Sequence, residues 1–363
     1  MTETNIACTP DVAVVIPAFN SGPYLDQALA SVAGQTMGPG TVVVVDDCST
    51  DDTAERARRW QGRLPLELIR LTDNHGPGPA RHLAIQATST PLLAMLDADD
   101  LFLPDHLDTM AAAHAASSGL VSAQELSWYP GMGLTAPRMP KRFPAPPHQL
   151  SSLLRQNFVN FGFFSRDLYE LSGGFRDQPC EDWNLWIRML RAGAEITMAS
   201  HPTAVHRVWD GSRSFDAART AERGIAVLTA QLGDARSPAE VAAVRAGLRT
   251  LRGKLCFYRA MQLAAQGRLA QARRAALAGL PAGGPRAAAG LLAVTTAPAL
   301  AVRLERLTRP YRVHVGSYTP LPDAAASGSP PPAPVHGQPA PPGGGDTAPP
   351  PTDRAVRNGE EPG

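Results

Sequence analysis

The chain has 363 residues, of which 44% are hydrophobic, enough for one large domain with extra elements. Its formal net charge of +1 excludes a general nucleic-acid binder steered by excess positive charge. The four cysteines (Cys8, Cys48, Cys180, Cys256) lie far apart with no CxxC pair, which argues against a zinc centre and for free thiols in a reducing compartment. The polar, acidic start MTETNIACTPD does not read as a signal peptide, so the expected location is the cytoplasm.

In chain order, DVAVVIPAFN predicts an apolar strand running into Pro17 and Asn20, followed by a helix from Tyr24 to Gln35. TVVVVDDCSTDDT predicts a β-branched strand ending at Asp46 and Asp47, after which Ser49, Thr50 or Asp51 caps a helix through Trp60. A third strand, LELIRL, leads into DNHGPGPARHLAIQAT, and a fourth, LLAMLDADD, ends in Asp97, Asp99 and Asp100. Near-continuous apolar strands separated by helices imply a parallel sheet covered on both faces. Ligands of such sheets bind beyond the carboxyl ends of the strands, where all three polar clusters land. Three crowded carboxylates repel one another, and a hard cation with phosphate oxygens is the usual compensation; a polar strand-to-loop turn is the bland alternative. On an extended segment, alternation puts Asp97 and Asp99 on one side and Asp100 on the other, where it would cap the turn before Leu103 and Pro104.

Farther along, Gly173-Gly174-Phe175 reads as a sharp turn, and Glu181-Asp182 opens an amphipathic helix carrying Leu185, Ile187, Met189 and Leu190. Acidic residues there complement the helix dipole even without a function. Residues 217 to 280 turn helical, rich in Ala, Leu and Arg. The uncharged run 287 to 302, followed by Arg303, Arg306, Arg309 and Arg312, is short and interrupted by Pro298, which favours a buried hairpin or an interfacial segment over a membrane span. Peripheral contact with the inner membrane face through 287 to 312 is the corresponding expectation. Thirteen of the 35 prolines follow Thr319 together with a GGG run, a composition expected to stay disordered. The expected organisation is a domain over 11–214, a helical region over 215–318 and a tail over 319–363.

The ordered motifs VVIPAFN, VVVVDDCSTDDT, NHGPGPARHLAI, LDADD and GGFRDQPCEDWNLWIRM resemble the signature of the family 2 inverting glycosyltransferases, which have the GT-A fold. The resemblance covers roughly residues 11 to 214 and implies a nucleotide-sugar donor with a divalent cation, magnesium or manganese. By similarity Pro17 and Phe19 line the nucleotide base, and one of Asp46 and Asp47 accepts from its imide N–H. Arg81 would meet the diphosphate, with a surface arginine as the alternative. Asn74 and Gly76 would shape the adjoining loop. The resemblance assigns Asp99 to the metal, Asp97 to ribose or metal, Asp182 to the general base and Glu181 to orienting the site. Trp183 and Trp186 would offer a face to a sugar or pack in the core. Where the family often carries histidine, VHRVWDGSRS has Trp209; Arg207 matches, and His206, Asp210, Ser212 and Arg213 stand nearby, so the third metal contact is open. Residues 125 to 165 would face an acceptor whose kind (glycan, lipid-linked sugar, peptide or natural product) the motifs do not encode. A nucleotidyltransferase would share the acidic pairs but needs a basic, glycine-rich phosphate loop, and VVIPAFNSGPYL has neither Lys nor Arg. A non-catalytic sugar- or partner-binding module is the other alternative, motivated by Trp209.

Overall fold

A computed structural model describes residues 11–129, 133–134, 143–209 and 216–282. Strands β1 (Val12–Ala18), β2 (Thr41–Asp46), β3 (Leu66–Arg70) and β4 (Leu92–Met95) alternate with helices α1 (Gly22–Ala33), α2 (Thr53–Trp60) and α3 (Pro77–Gln86). All pairings among these four strands are parallel, in the order β3-β2-β1-β4. The physical reason is visible in β1. Val12, Val14 and Ile16 pack on one face, against α1 and α2, while Ala13 and Val15 pack on the other, against α3. With both faces covered, a strand needs no polar alternation, and none of Val12 to Ile16 is exposed. A charge at Val15 would forfeit about 2 kcal/mol of apolar burial before any desolvation cost is counted.

Beyond β4 the sheet becomes mixed. Strands β5 (Leu101–Phe102), β6 (Leu120–Tyr129), β7 (Gly133–Leu134), β8 (Phe163–Ser165) and β9 (Ile196–Arg207) continue it as β8-β6-β9-β5, with β7 paired to β6. Helix α4 (His106–Ser117) packs near β6 and β9; α5 (Pro146–Leu153), α6 (Arg166–Leu171) and α7 (Glu181–Arg191) build the remaining cover. The mostly parallel sheet with flanking helices is the GT-A arrangement expected from the motifs. After it come α8 (Ala217–Gly233), α9 (Pro238–Ala265) and α10 (Leu269–Ala278). Val227 and Leu228 of α8 and Val244, Leu248 and Leu251 of α9 join the apolar cluster that contains Trp183, Leu185 and Ile187 of α7. The first helices of the C-terminal region thus complete the core under α7. The run 287–312 and the tail 319–363 lie outside the described residues, as do Asp210, Ser212 and Arg213. No helix among the described residues is long and apolar enough to cross a membrane.

Loops at the carboxyl edge are tied together before any ligand is considered. The N-cap of α2 is Asp52, one residue beyond the Ser49, Thr50 or Asp51 expected, and its side chain makes no capping bond. Asp51, just outside the helix, accepts from the Thr53 N–H at 3.0 Å and from the Gly22 N–H at 3.0 Å. One carboxylate therefore holds the starts of α1 and α2 side by side. Asn20, in the left-handed region at φ 48°, donates its N–H to Ser49 Oγ and accepts from the Thr50 N–H. Such a conformation is tolerated by Asn better than by most residues.

Candidate active site

The carboxyl ends of β1, β2 and β4 open onto a cavity of about 760 Å³. Pro17, Phe19, Asp47, Asn74, Gly76, Arg81, Asp97 and Asp99 all line it. Phe19 is half exposed there, an apolar ring without a packing role in the core. Asp47 accepts from the N–H groups of His75 (2.8 Å) and Gly76 (2.7 Å), and the Asn74 side chain donates to its carbonyl (3.1 Å), so this carboxylate sets the shape of the 74–76 loop. Asp46 is placed differently. It is fully buried, accepts from the Ser49 N–H (3.0 Å) and from Arg70 Nε (3.1 Å), and does not line the cavity.

The acidic run departs from the extended geometry expected of it. Strand β4 ends at Met95, and residues 97–100 form a turn closed by the Asp100 N–H donating to the Asp97 carbonyl at 3.0 Å. Alternation therefore does not apply, and Asp100 does not point away to cap Leu103. It curls back, so that one oxygen from each of Asp97, Asp99 and Asp100 lies within 4.8 Å of the others. Asp100 accepts from the Arg207 N–H (2.8 Å) and from His206 Nδ1 (3.2 Å). Burial pushes its carboxyl up to about 7, with His206 opposing. His206 is pushed up to about 10, because Asp100 and Glu125 outweigh the burial that disfavours its charge. Burial and the neighbouring Asp97 also raise Asp99, while an indole N–H from Trp209 at 3.0 Å works the other way. His206 offsets part of the charge on Asp99, and hard oxygen donors crowded in this way are what magnesium or manganese takes.

Arg81 is held between Asp97 and Glu181, each ion-paired to a different guanidinium nitrogen. Burial opposes its charge, but the two carboxylates outweigh that and keep it protonated. The pairing depends on Gly78 at the start of α3, where an added Cβ would lie 3.0 Å from Glu181 Cβ and 3.1 Å from the Arg176 carbonyl. A side chain there would press α3 and the start of α7 apart by a few tenths of an ångström. Through these two ion pairs Arg81 ties Glu181 to Asp97.

A second cavity, of about 430 Å³, adjoins the first and shares Arg81 and Asp97 with it. Asp182 lines this one, together with Asp100, Glu125, Asn157, Trp186 and His206. Burial and the adjacent Glu181 raise the Asp182 carboxyl to about 6, with Arg81 opposing. Its near partner is Asn157 Nδ2 at 3.4 Å, a weak hydrogen bond. Trp183 is core, donating to the Leu153 carbonyl at 2.8 Å. Arg207 points elsewhere, lying over the rings of Tyr24 and Trp128 and bonding Gln27.

Two residues in the donor-side cavity have no counterpart in the motif reading. Arg219 and Arg223 of α8 both line it. Their spacing of one helical turn, at the start of a helix that follows the VHRVW segment, is the signal that marks them as a pair on one face. Direction toward the cleft is set by the packing of α8 on α7 and α9, which the spacing does not encode.

Residues 13–169 match the family described as Glycosyl transferase family 2. The succinoglycan biosynthesis protein ExoU of Rhizobium meliloti (strain 1021) is 40% identical over 102 residues, covering 28% of this chain and 30% of that protein. The validoxylamine A glucosyltransferase of Streptomyces hygroscopicus subsp. limoneus is 38% identical over 109 residues, 29% of this chain and 24% of that one. The chain therefore spans less than a third of the length of these two curated relatives. Among solved structures, S. aureus TarS 1–349 in complex with UDP-GlcNAc superposes with a TM-score of 0.53 at 18% identity, over 85% of this chain and 95% of that one. A mannosyltransferase from Pyrobaculum calidifontis in complex with GDP-Man and Mn2+ gives 0.53 at 22% identity, over 83% and 85%. At such identities the superpositions show a shared fold, and over residues 13–169 the sequence matches glycosyltransferase family 2.

Proposed function

We propose that the chain transfers a sugar from a nucleotide-sugar to a hydroxyl acceptor with inversion at the anomeric carbon. The observation that carries this reading is the pair of cavities meeting at Asp97 and Arg81, one lined by Asp99 and the other by Asp182. Donor and acceptor then approach the same point from opposite sides, as in-line attack requires. UDP-GlcNAc and GDP-Man in the two superposed relatives support a nucleoside diphosphate in the larger cavity.

In that cavity Phe19 and Pro17 offer apolar surface to the base. Asp47 is the member of the acidic pair that reaches it, while Asp46 fixes the loop from beneath. Asp97 and Asp99, with Asp100 close by, are the residues that would hold magnesium or manganese, whose charge would offset that developing on the departing diphosphate. Arg219 and Arg223 present guanidinium groups to the same cavity and suit the diphosphate oxygens. Arg81, already paired with two carboxylates, positions Asp97 and Glu181. On the other side Asp182 takes the proton from the acceptor hydroxyl as its oxygen bonds to the anomeric carbon. The carbon–oxygen bond to phosphate breaks, and the nucleoside diphosphate leaves with the electron pair. A carboxyl raised to about 6 is still ionised at neutral pH, yet basic enough to share a proton in the transition state.

Thermal melting with UDP and GDP, with and without Mn2+, combined with hydrolysis of the matching nucleotide-sugars, tests the reading. Stabilisation by one nucleotide that grows with Mn2+, plus slow release of nucleoside diphosphate, is the expected result. Stabilisation with no turnover on any donor would favour a binding module, and neither response would overturn the assignment.

A further inference from the structure

The second cavity also carries information about what it accepts. Its lining includes four carboxylates (Asp97, Asp100, Glu125 and Asp182) against two cationic side chains, Arg81 and His206. Arg81 is additionally held by Glu181, and His206 faces Asp100, so neither offers an uncommitted charge to a ligand. Asp97 and Asp100 also belong to the candidate cation site, so Glu125 and Asp182 are the carboxylates left to face a ligand, with no uncommitted cationic side chain beside them.

Glu125 is the group that transfer chemistry does not use. It sits on β6 where the pairing with β9 shifts register, between Gln124 and Glu125. A shift of this kind re-aims a side chain. Only 7% of the residue is exposed, and its carboxylate lines the cavity beside His206, on which it acts through charge. Trp186 carries an unmet donor, and a buried polar group of that kind costs stability unless something supplies its partner. Its indole N–H is buried without a partner, and it lines the same cavity. An added Cβ at Gly162 would lie 2.5 Å from the Trp186 ring, so the ring reaches its place only over glycine. An unpartnered donor, a carboxylate facing the cavity and the amide of Asn157 together match a ligand with several hydroxyls.

We infer that the acceptor is an uncharged polyhydroxyl compound of sugar or cyclitol type, that Glu125 accepts hydrogen bonds from its hydroxyls, and that phosphate- or carboxylate-bearing acceptors are disfavoured. This rests on the donor and base assignment above. An anionic group in this cavity would face carboxylates at close range, and like charges so placed repel.

The test measures acceptor-stimulated release of nucleoside diphosphate with neutral glycosides and cyclitols, each beside its own phosphate or uronate counterpart. Wild-type protein is expected to favour the neutral member of a pair by at least about tenfold in kcat/KM. Glu125→Gln should cut that preference ratio by about tenfold, chiefly through a higher KM for the neutral member. Because the ratio is taken on one preparation, partial loss of folded protein cancels. Preference for an anionic member, stimulation by no neutral member, or an unchanged ratio in the variant would each overturn the inference. Absence of donor hydrolysis and of nucleotide binding would instead remove the transferase reading beneath it.

Discussion

The parallel half of the sheet and the mixed half meet at one cleft but are built by different rules. In β1, β2 and β4, uninterrupted apolar strands deliver Pro17, Asp47 and Asp97 to one edge simply by ending there. Position follows from topology, and any ligand beyond that edge meets the same backbone ends. On the other side, Asp182 stands at the start of a helix, Glu125 at a register shift and Asp100 within a turn. Each is aimed by a local irregularity, so small changes in sequence can redirect it. The contrast suggests a fixed donor half and an acceptor half open to variation, and it can be attacked by experiment.

The largest effect is expected at Asp182, where the comparison is between a base and a helix-stabilising charge. Asp182→Asn keeps the shape but cannot take the proton, so transfer should fall by about 10² to 10⁴-fold with donor affinity retained. Stability should move the opposite way. A carboxyl raised to about 6 in the folded protein, above its ordinary 3.8, contributes stability that is fully present below about pH 3.8 and lost as pH rises through 6. At neutral pH the ionised Asp182 is therefore a cost, and the Asn variant should melt higher. Wild-type turnover should decline as pH falls below about 6. Lower stability with near-normal turnover would make Asp182 a structural charge.

Asp99→Ala tests the donor half. Nucleotide binding should lose its dependence on Mn2+, a drop on the order of 10²-fold at saturating metal, while the metal-free protein melts no lower. Burial and Asp97 already raise this carboxyl, so its removal relieves repulsion. Titration of a nucleoside diphosphate with and without Mn2+ decides it, and an unchanged metal-dependent increment would take Asp99 out of the metal site.

Much of the donor half was legible in the sequence, and the reason is physical. Buried parallel strands must be apolar throughout, their ends are fixed by the first polar residues, and the edge they share is the binding edge. VVVVDD ends its strand at Asp46, and VVIPAFN and LLAMLDADD end theirs two residues before the first polar side chain. Three features escaped it. Treating Asp97 to Asp100 as extended sent Asp100 to the wrong side, because the strand stops two residues earlier and a turn begins. Similarly, the role of α8 depends on Val227 and Leu228 packing under α7, a long-range contact with no local signature. Of the acidic pair at the end of β2, only the structure separates the cavity-facing Asp47 from the buried Asp46.

That missed contribution of α8 supplies the next test. Arg219→Ala combined with Arg223→Ala should weaken nucleoside diphosphate binding by about 10 to 100-fold, the loss expected for hydrogen bonds to a charged group. Affinity for the bare nucleoside should change far less, and the salt dependence of diphosphate binding should flatten. Equal weakening of nucleoside and diphosphate would mean that α8 supports the cleft without touching the phosphates.

The smallest effect is expected at Trp209, which joins the two halves. Its indole N–H holds Asp99 at 3.0 Å, and its ring packs against Tyr24 of α1 with centroids 4.9 Å apart. Trp209→Phe keeps most of the ring contact and removes the hydrogen bond, leaving Asp99 oriented only by its backbone and by whatever cation binds. Partners that orient a metal ligand in this way contribute up to about tenfold in affinity at a partly open site. Mn2+ affinity, measured through the nucleotide-dependent melting shift, should therefore drop by a few-fold to about tenfold, with little change in binding without metal. Trp209→His gives the opposite test, since it places an imidazole where the indole now stands. If the position borders the cation, His should restore or raise Mn2+ affinity relative to Phe. Equal affinities for the Phe and His variants would mean that Trp209 acts only through Asp99. A loss of metal-free nucleotide binding in both would show instead that the Trp209–Tyr24 contact holds the cavity open, and that the donor half is less fixed than its strands suggest.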